Sequence, residues 1–226
     1  MKAMNMRNFK LLEKNSSKSS YLSMMFLAIL AFTLGVGVVV DGMLVYDMPF
    51  FTSISESATT GPRTGMILPF VLGGMAIYFV GYVGYDLIDR ICAKAMTLGA
   101  AGVAMQVCQS DYLLGYNKVG LFGLSASYSN IIHSISALLL FGTMIYWVGC
   151  RFTKGVGDDK KTTMKKWRNK LYKTCAIVSL AGVLWFAVGN LIFPHGPNVF
   201  IAEELILLPM SVAIFTKAGG WLKDEE

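Results

Sequence analysis

Residues 21–40 read YLSMMFLAILAFTLGVGVVV, a run of twenty residues without a charged side chain. An α-helix rises about 1.5 Å per residue, so a run of this length crosses the roughly 30 Å hydrocarbon core of a bilayer. A surface helix of a soluble domain carries polar residues along one face, and this run has no such face. It therefore predicts a transmembrane helix and decides the class of fold.

Composition extends this prediction to the whole chain. Charged residues make up 15% of the sequence, against about 25% in soluble domains, which excludes an ordinary cytosolic enzyme and a disordered chain. Five further apolar windows are long enough to span a bilayer: residues 65–85, 91–108, 131–150, 172–192 and 199–217. They are continuous rather than alternating, unlike the strands of a membrane barrel. The sequence predicts an all-α, polytopic membrane protein with six transmembrane helices.

The basic residues fall almost entirely on one side of these predicted spans. Of the 20 Lys and Arg residues, only Arg63 and Lys118 lie in segments on the side opposite the N-terminus. Since cytoplasmic loops carry an excess of Lys and Arg, we expect both termini in the cytoplasm. The predicted organisation is a basic cytoplasmic tail at residues 1–20, a transmembrane domain at residues 21–217 and a cytoplasmic C-terminal tail at residues 218–226.

The fourth loop is the most basic segment of the chain. Its lipid-binding candidates are five side chains that follow a glycine-rich start: Lys160, Lys161, Lys165, Lys166 and Arg168. Juxtamembrane clusters of this kind attract anionic lipid of the cytoplasmic leaflet. Two alternatives stay open: these charges serve only to fix the topology, or they bind a protein partner. Nucleic-acid binding is not expected, because the cluster lacks aromatic residues interleaved with the charges and belongs to no known module.

The opposite side of the predicted bundle carries six acidic residues against two basic ones, together with both histidines. The first loop on that side carries the sequence SISE at residues 53–56, His133 opens the fourth span, and Glu203 lies near the start of the sixth. Ionisable groups at membrane depth are costly and usually face the bundle interior or a water-filled cavity. We therefore expect these side chains to converge on one polar pocket open to the extracytoplasmic leaflet.

Hydrolysis or acyl transfer is the first chemistry that fits such a pocket. His133 would act as base, Ser53 or Ser55 as nucleophile, and Glu56 or Glu203 would orient the histidine. The loop lacks the GxSxG elbow of the α/β-hydrolases. The catalytic candidates are accordingly chosen by chemistry rather than by motif.

Two other kinds of site use the same residues. A metal site would combine His133, His195 and Glu203, leaving one position for water. A purely structural network would cap helix ends, with the glutamate favoured by the dipole at a helix N-terminus. The sequence identifies no cofactor and leaves both alternatives open. A small-solute transporter is a third class, although the chain shows no internal repeat of the kind that carriers have.

Three features together resemble a known family. They are an S-E pair after the first span, a glutamine near the end of the third span, and an H…F pair in the fourth. In this sequence they correspond to Ser55 and Glu56, Gln106 or Gln109, and His133 with Phe141. The pattern resembles the six-helix membrane family of the GPI-anchor-remodelling factor and the damage-regulated autophagy modulator (DRAM). The resemblance implies a role in membrane-lipid remodelling or regulation.

The sequence thus favours a multi-pass protein that recognises or modifies a lipid through a pocket containing Ser55, Glu56, His133 and Glu203. Whether it is an enzyme is left open. The alternative is a non-catalytic membrane regulator or accessory subunit that binds a protein partner or anionic lipid through the basic loop.

Overall fold

The computed structural model describes residues 6–45, 53–60, 64–154, 162–193 and 197–222. Within these residues the secondary structure is helical, which confirms the predicted all-α class. The helices are α1 (Met6–Val45), α2 (Ser57–Thr60), α3 (Thr64–Gly81), α4 (Leu87–Met105), α5 (Ala126–Tyr146), α6 (Thr163–Ile192) and α7 (Asn198–Lys217). A short 3₁₀ turn at Asp111–Leu113 lies between α4 and α5, and a π-helical turn at Trp147–Arg151 follows α5.

Four of these helices are long and apolar enough to cross a membrane. The segments are Ser20–Leu44, Ala126–Arg151, Thr163–Gly189 and Asn198–Lys217. Helix α3 supplies a shorter apolar stretch at Gly65–Gly81. Helix α4 is amphipathic at its start, because Asp89, Arg90 and Lys94 lie in its first half. Length and composition are therefore those of an integral membrane protein, while the predicted count of six spans stays a prediction.

Successive long helices run in opposite directions. One end of the bundle gathers the end of α3, the start of α6 and the end of α7 around a common cavity. The other end gathers Ser55, the start of α5 at His133 and the start of α7 at Glu203. These are called the basic end and the histidine end below. Around the bundle, α6 packs on α7, α7 on α1, α1 on α3, α3 on α4 and α4 on α5.

Apolar side chains cover the outside of the bundle as well as its core. Inside, Leu27, Met75 and Met210 are fully buried. Outside, Phe70 and Leu191 are 75% and 81% exposed. Soluble proteins rarely expose contiguous apolar surface on this scale, since it would contact water. The outer surface is therefore suited to lipid.

Small residues let α4 and α5 pack closely. A Cβ atom on Gly99 would lie 2.8 Å from the backbone nitrogen of Leu140 and 2.8 Å from the carbonyl oxygen of Ser136. Close approach of backbones through glycine is a common way for membrane helices to associate. The glycine- and alanine-rich sequence of the third predicted span thus serves to bring α4 against α5.

A buried ion cluster closes the basic end. Arg151 is 2% exposed; its Nε donates to Asp89 Oδ1 at 2.6 Å, and its Nη2 lies 2.6 Å from Asp86 Oδ1. Asp86 also caps α4 by accepting from the Asp89 N–H at 3.1 Å. The π-helical turn buries both Trp147 and Arg151, which directs the guanidinium inward. The sequence did not predict this pairing.

Gly84 makes room for this cluster in the loop between α3 and α4. Its φ of +65° lies in the left-handed region that favours glycine. A Cβ atom there would also overlap the Cβ atom of Asp89. The loop can therefore fold over Asp89 only with glycine at this position.

Candidate functional site

The SISE segment forms a tight turn that inserts into the histidine end. Its turn is closed by the Ser57 N–H, which donates to the Ile54 carbonyl at 3.1 Å, and by the Glu56 N–H, which donates to Ser53 Oγ at 2.9 Å. Ile54 is 1% exposed and anchors the turn in the core. This apolar anchor turns Ser55 toward the bundle interior.

His133 meets the turn from the first part of α5. Its Nδ1 lies 2.7 Å from the carbonyl oxygen of Gln106, which is the C-cap residue of α4 and has extended backbone geometry. A carbonyl oxygen only accepts, so Nδ1 carries a hydrogen. The orienting contact of His133 thus comes from a backbone carbonyl and not from a carboxylate.

Ser55 connects His133 to Glu203. His133 Nε2 and Ser55 Oγ are 2.9 Å apart, and Ser55 Oγ and Glu203 Oε1 are 3.2 Å apart. The second carboxyl oxygen, Glu203 Oε2, accepts from the Ile54 N–H at 2.5 Å. Ser55 and His133 are both buried, at 7% and 4% exposure. The structure therefore brings together three of the four residues predicted as catalytic into one hydrogen-bonded chain.

The proton count of this chain follows from its geometry. Ser55 has one hydroxyl hydrogen and two close neighbours, so a second hydrogen must come from one of them. In one arrangement Ser55 donates to a neutral His133 and a protonated Glu203 donates to Ser55. In the other, a protonated His133 donates to Ser55, which donates to the Glu203 carboxylate. Both arrangements satisfy each contact and differ by transfer of a proton through the Ser55 hydroxyl.

A small cavity adjoins this chain. Its volume is about 20 Å³, and Ser55 and Glu203 are the polar residues among the side chains that line it. The rest of the lining is apolar and includes Leu34, Val103 and Phe141. A site needs roughly 10–15 Å³ to hold one water molecule. The cavity thus has the size of a water molecule, and the pocket is closed to anything larger in this conformation.

Glu56, the fourth predicted catalytic residue, is half-buried on the same turn. Its Oε1 accepts from Ser110 Oγ at 3.4 Å, which links the turn to the segment that follows α4. Glu204 lies on the neighbouring face of α7, with its carboxylate against Gly35 of α1. Of the two glutamates, Glu203 is therefore the one that faces the site.

The metal hypothesis rests on His133, His195 and Glu203. Within the described residues, no group of three His, Cys, Asp or Glu side chains is arranged to hold a metal ion. Both ring nitrogens of His133 already make hydrogen bonds. His195 lies outside the described residues, so the three-ligand site stays a prediction.

The predicted lipid-binding residues divide into two groups. Lys160 and Lys161 lie outside the described residues. Lys166 is exposed on the first turn of α6, whereas Lys165 and Arg168 are half-buried and line a large cavity at the basic end. Arg168 Nη1 donates to the Leu222 carbonyl at 2.7 Å.

Two functional groups of the histidine end were not identified from the sequence, and both are backbone atoms. They are the Gln106 carbonyl oxygen, which holds His133, and the Ile54 N–H, which holds Glu203. The sequence singled out Gln106 or Gln109 as a glutamine near the end of the third span. Helix α4 ends at Met105, and the backbone carbonyl of Gln106 makes the contact. For the Ile54 contact, the only signal in the sequence is that this apolar residue lies between the two serines of SISE.

Comparison with known proteins gives no relative from which to transfer a function: no family model, curated protein or solved structure matches this chain.

Proposed function

We propose that this chain is a multi-pass protein with six spans and both termini in the cytoplasm, which recognises or modifies a lipid from the extracytoplasmic leaflet. The chemistry is assigned to Ser55, His133 and Glu203. The observation that carries the proposal is the 2.9 Å contact between Ser55 Oγ and His133 Nε2. A lipid substrate accords with the resemblance to the family of GPI-anchor-remodelling and autophagy-modulator proteins.

The alternating directions of the six long helices support the proposed topology. Lys154, Lys165, Arg168 and Lys217 lie together at the basic end. That end corresponds to the cytoplasm by the positive-inside rule. The histidine end then faces the opposite leaflet.

The hydrogen bonds support a nucleophilic role for Ser55. With hydrogen on Nδ1, the Nε2 lone pair of neutral His133 is available to accept the hydroxyl proton. In the proposed acyl-transfer step, Ser55 Oγ bonds to the carbonyl carbon of a lipid ester as its proton moves to Nε2. The ester C–O bond then breaks, and the departing alcohol takes that proton. Water releases the acyl group from Ser55 in the reverse sense.

Glu203 marks where the ester would bind. Its carboxyl group already places one oxygen beside Ser55 Oγ and the other on the Ile54 N–H. An ester that displaces this group would put its carbonyl oxygen on the same N–H, which would stabilise the developing oxyanion. We therefore propose that Glu203 moves aside when substrate binds.

A non-catalytic membrane regulator or accessory subunit is the second candidate. It is favoured by the volume of the cavity beside Ser55, about 20 Å³, which is far smaller than a lipid ester group with its substituents. In that case the chain of hydrogen bonds would hold α4, α5, α7 and the SISE turn together. Binding to a partner or to anionic lipid would occur through the basic loop.

Covalent labelling separates these two functions. A fluorophosphonate probe should modify the full-length protein in native membranes at Ser55, and Ser55→Ala and His133→Gln should each abolish the labelling. Ser53→Ala is the matched control, since this serine lies on the same turn and contacts the Glu56 N–H. Lipid profiles of cells with the same variants should change only with Ser55→Ala and His133→Gln. Folded protein with no labelling and unchanged lipids would remove the catalytic proposal and leave the regulator.

A further inference from the structure

A second and much larger cavity lies at the basic end of the bundle. Its volume is about 1290 Å³, and it is bounded by α1, the end of α3, the start of α6 and the end of α7. Cavities that bind small molecules and cofactors usually enclose about 300–1,000 Å³. This cavity is therefore large enough for a ligand with both a headgroup and part of a hydrocarbon chain.

The charged side chains that line this cavity, among the described residues, are all cationic. Four cationic side chains border the cavity: Lys154, Lys165, Arg168 and Lys217. None of the described residues that line it is Asp or Glu. Asp86 and Asp89 do not line it and are bound to Arg151 in the ion cluster, and Asp86 Oδ2 also lies 3.8 Å from Lys154 Nζ at the edge of the cavity. The lining thus attracts an anion.

Lys217 is held in place by aromatic and neutral groups. Its Nζ lies 3.4 Å from the Tyr85 hydroxyl and 3.3 Å from the Phe152 carbonyl oxygen. It also lies over the rings of Tyr85 and Phe152, 5.4 and 5.5 Å from their centroids. Within the described residues, no carboxylate lies at salt-bridge distance from it. These contacts orient the ammonium group and leave it without a salt bridge among the described residues.

Aromatic rings give the cavity a rigid wall. Trp147 packs edge-on against Tyr82 and Phe152, and Phe152 packs in turn against Tyr172. The hydroxyl of Tyr78, which also lines the cavity, is buried without a hydrogen-bond partner among the described residues. Buried polar groups in folded proteins usually have a hydrogen-bond partner. A ligand oxygen would supply one.

The edges of the cavity meet two different surroundings. Lys154 and Trp221 are about half exposed at the end of the bundle, where a headgroup would enter from water. Ile77 is 77% exposed on the side of α3, where hydrocarbon would lie in the membrane. The cavity therefore fits an amphiphile at the bilayer interface.

We propose that this cavity binds the phosphate group of an anionic amphiphile, with Lys217, Arg168 and Lys165 as its cationic partners and Tyr78 as a hydroxyl donor. A phosphate monoester carries more than one negative charge and several acceptor oxygens, which suits cations on separate helices. A zwitterionic headgroup is disfavoured because the described lining offers no carboxylate to its cation. This site is separate from the histidine end and does not depend on the function proposed there.

Binding to the purified full-length protein in detergent tests the proposal with three probes. Dioctanoyl phosphatidic acid carries the phosphate and the chains, dioctanoyl phosphatidylcholine carries the same chains with a zwitterionic headgroup, and glycerol 3-phosphate lacks the chains. We expect phosphatidic acid to bind at least about tenfold more tightly than phosphatidylcholine. Glycerol 3-phosphate binding as tightly as phosphatidic acid would support the phosphate site and assign it to a soluble phosphate ester. Equal affinity for the two lipids would overturn the proposal.

Point variants distinguish a built site from diffuse surface charge. Lys217→Gln and Arg168→Gln should each weaken phosphatidic acid binding about tenfold, because each removes a charge-assisted contact. Lys217→Arg should preserve binding, and Tyr78→Phe should weaken it without changing charge. Lys170→Gln is the matched control, since Lys170 is exposed on α6, the helix that carries Arg168, and does not line the cavity. If Lys170→Gln weakens binding as much as Lys217→Gln, the site is only surface electrostatics. If Lys217→Gln does not fold, Arg168→Gln and Tyr78→Phe decide the outcome in the same assay.

Discussion

Ser55 and His133 are 78 positions apart in the sequence, yet the serine hydroxyl oxygen and the imidazole Nε2 lie 2.9 Å apart. The contact joins the loop after α1 to the first part of α5, so it depends on the packing of the whole histidine end. Glu203 extends it to α7, since its Oε1 lies 3.2 Å from Ser55 Oγ.

Replacing Glu203 by glutamine should be tolerated. A glutamine can accept from the Ile54 N–H with its amide oxygen and donate to Ser55 with its amide nitrogen, as a protonated glutamate does. We expect Glu203→Gln to change the free energy of unfolding by less than about 1 kcal/mol. Glu203→Leu should lower it by about 1–3 kcal/mol, because leucine leaves the buried Ile54 N–H without an acceptor and Ser55 without one of its two partners. Thermal unfolding in detergent measures both. Equal destabilisation by the two variants would contradict the proposed sharing of the proton.

Loss of Arg151 should destabilise the basic end strongly. Arg151→Met leaves the carboxylate of Asp89, which is 1% exposed, buried without its cation. Removing one partner of a buried ion pair usually costs about 3–5 kcal/mol. The exposed Lys173 provides a matched control, since Lys173→Met should stay within about 0.5 kcal/mol of wild type. A cost for Arg151→Met as small as that of the control would show that the cluster adds little to stability.

Acid should weaken the contact between Asp86 and Arg151. The hydrogen bond from Arg151 lowers the pKa of Asp86 from 3.8 to about 2. A folded-state pKa below the unfolded value adds stability that is present above about pH 4 and is lost as the pH falls toward 2. Asp86→Asn keeps a side-chain oxygen for the helix cap but does not titrate. The fall in melting temperature between pH 4 and 2 should therefore be smaller in Asp86→Asn than in wild type, and equal falls would exclude this contribution.

Adding one methyl group between α4 and α5 should push the helices apart. The Cβ atom of Gly99→Ala would lie 2.8 Å from backbone atoms of Leu140 and Ser136, which cannot rotate away. Overpacking of this kind costs about 1–3 kcal/mol. The control is Gly73→Ala in α3, where a Cβ atom meets nothing within 4 Å. That variant should be neutral or stabilising by up to about 1 kcal/mol, as helix propensity favours alanine, and equal destabilisation would mean that helix contact is not the cause.

Single-cysteine labelling tests the proposed topology. In a variant that lacks the four native cysteines, Lys118→Cys should react with an impermeant maleimide from the extracytoplasmic side. Lys154→Cys should react only after the membrane is permeabilised. Both side chains lie beyond the ends of α4, α5 or α6 in described segments. Labelling of Lys154→Cys in intact cells would show that the orientation is the reverse of the one proposed.

Periodicity and composition predicted the helices well because lipid imposes a simple requirement. A backbone in hydrocarbon must satisfy its own hydrogen bonds, so long apolar runs become helices whatever their neighbours. Each of the six predicted windows overlaps a long helix of the structure. The cluster of Ser55, His133 and Glu203 was also predictable as a set, because costly polar groups at one depth tend to meet.

The roles within that cluster were not predictable in the same way. Glu56 or Glu203 was expected to orient the histidine, but the Gln106 carbonyl holds His133, whereas Glu203 contacts Ser55 and the Ile54 N–H. Backbone donors and acceptors occur at nearly every residue. The sequence does not indicate which of them stay free to bind a side chain at the end of α4 or in the SISE turn. The large cavity at the basic end could not be predicted from the sequence either, because its lining comes from segments far apart in the chain.

The sequence by itself determined that the long apolar helices suit lipid, that the fold is all-α and that the basic residues collect on one side of the predicted spans. Each of these depends on local composition. The tertiary structure alone decided how those charges are used. It paired Arg151 with Asp86 and Asp89, and it left Lys217 facing a cavity without a carboxylate among the described residues. The physical reason is that a charge acts over a few ångströms, and only the packing of the helices sets distances of that size.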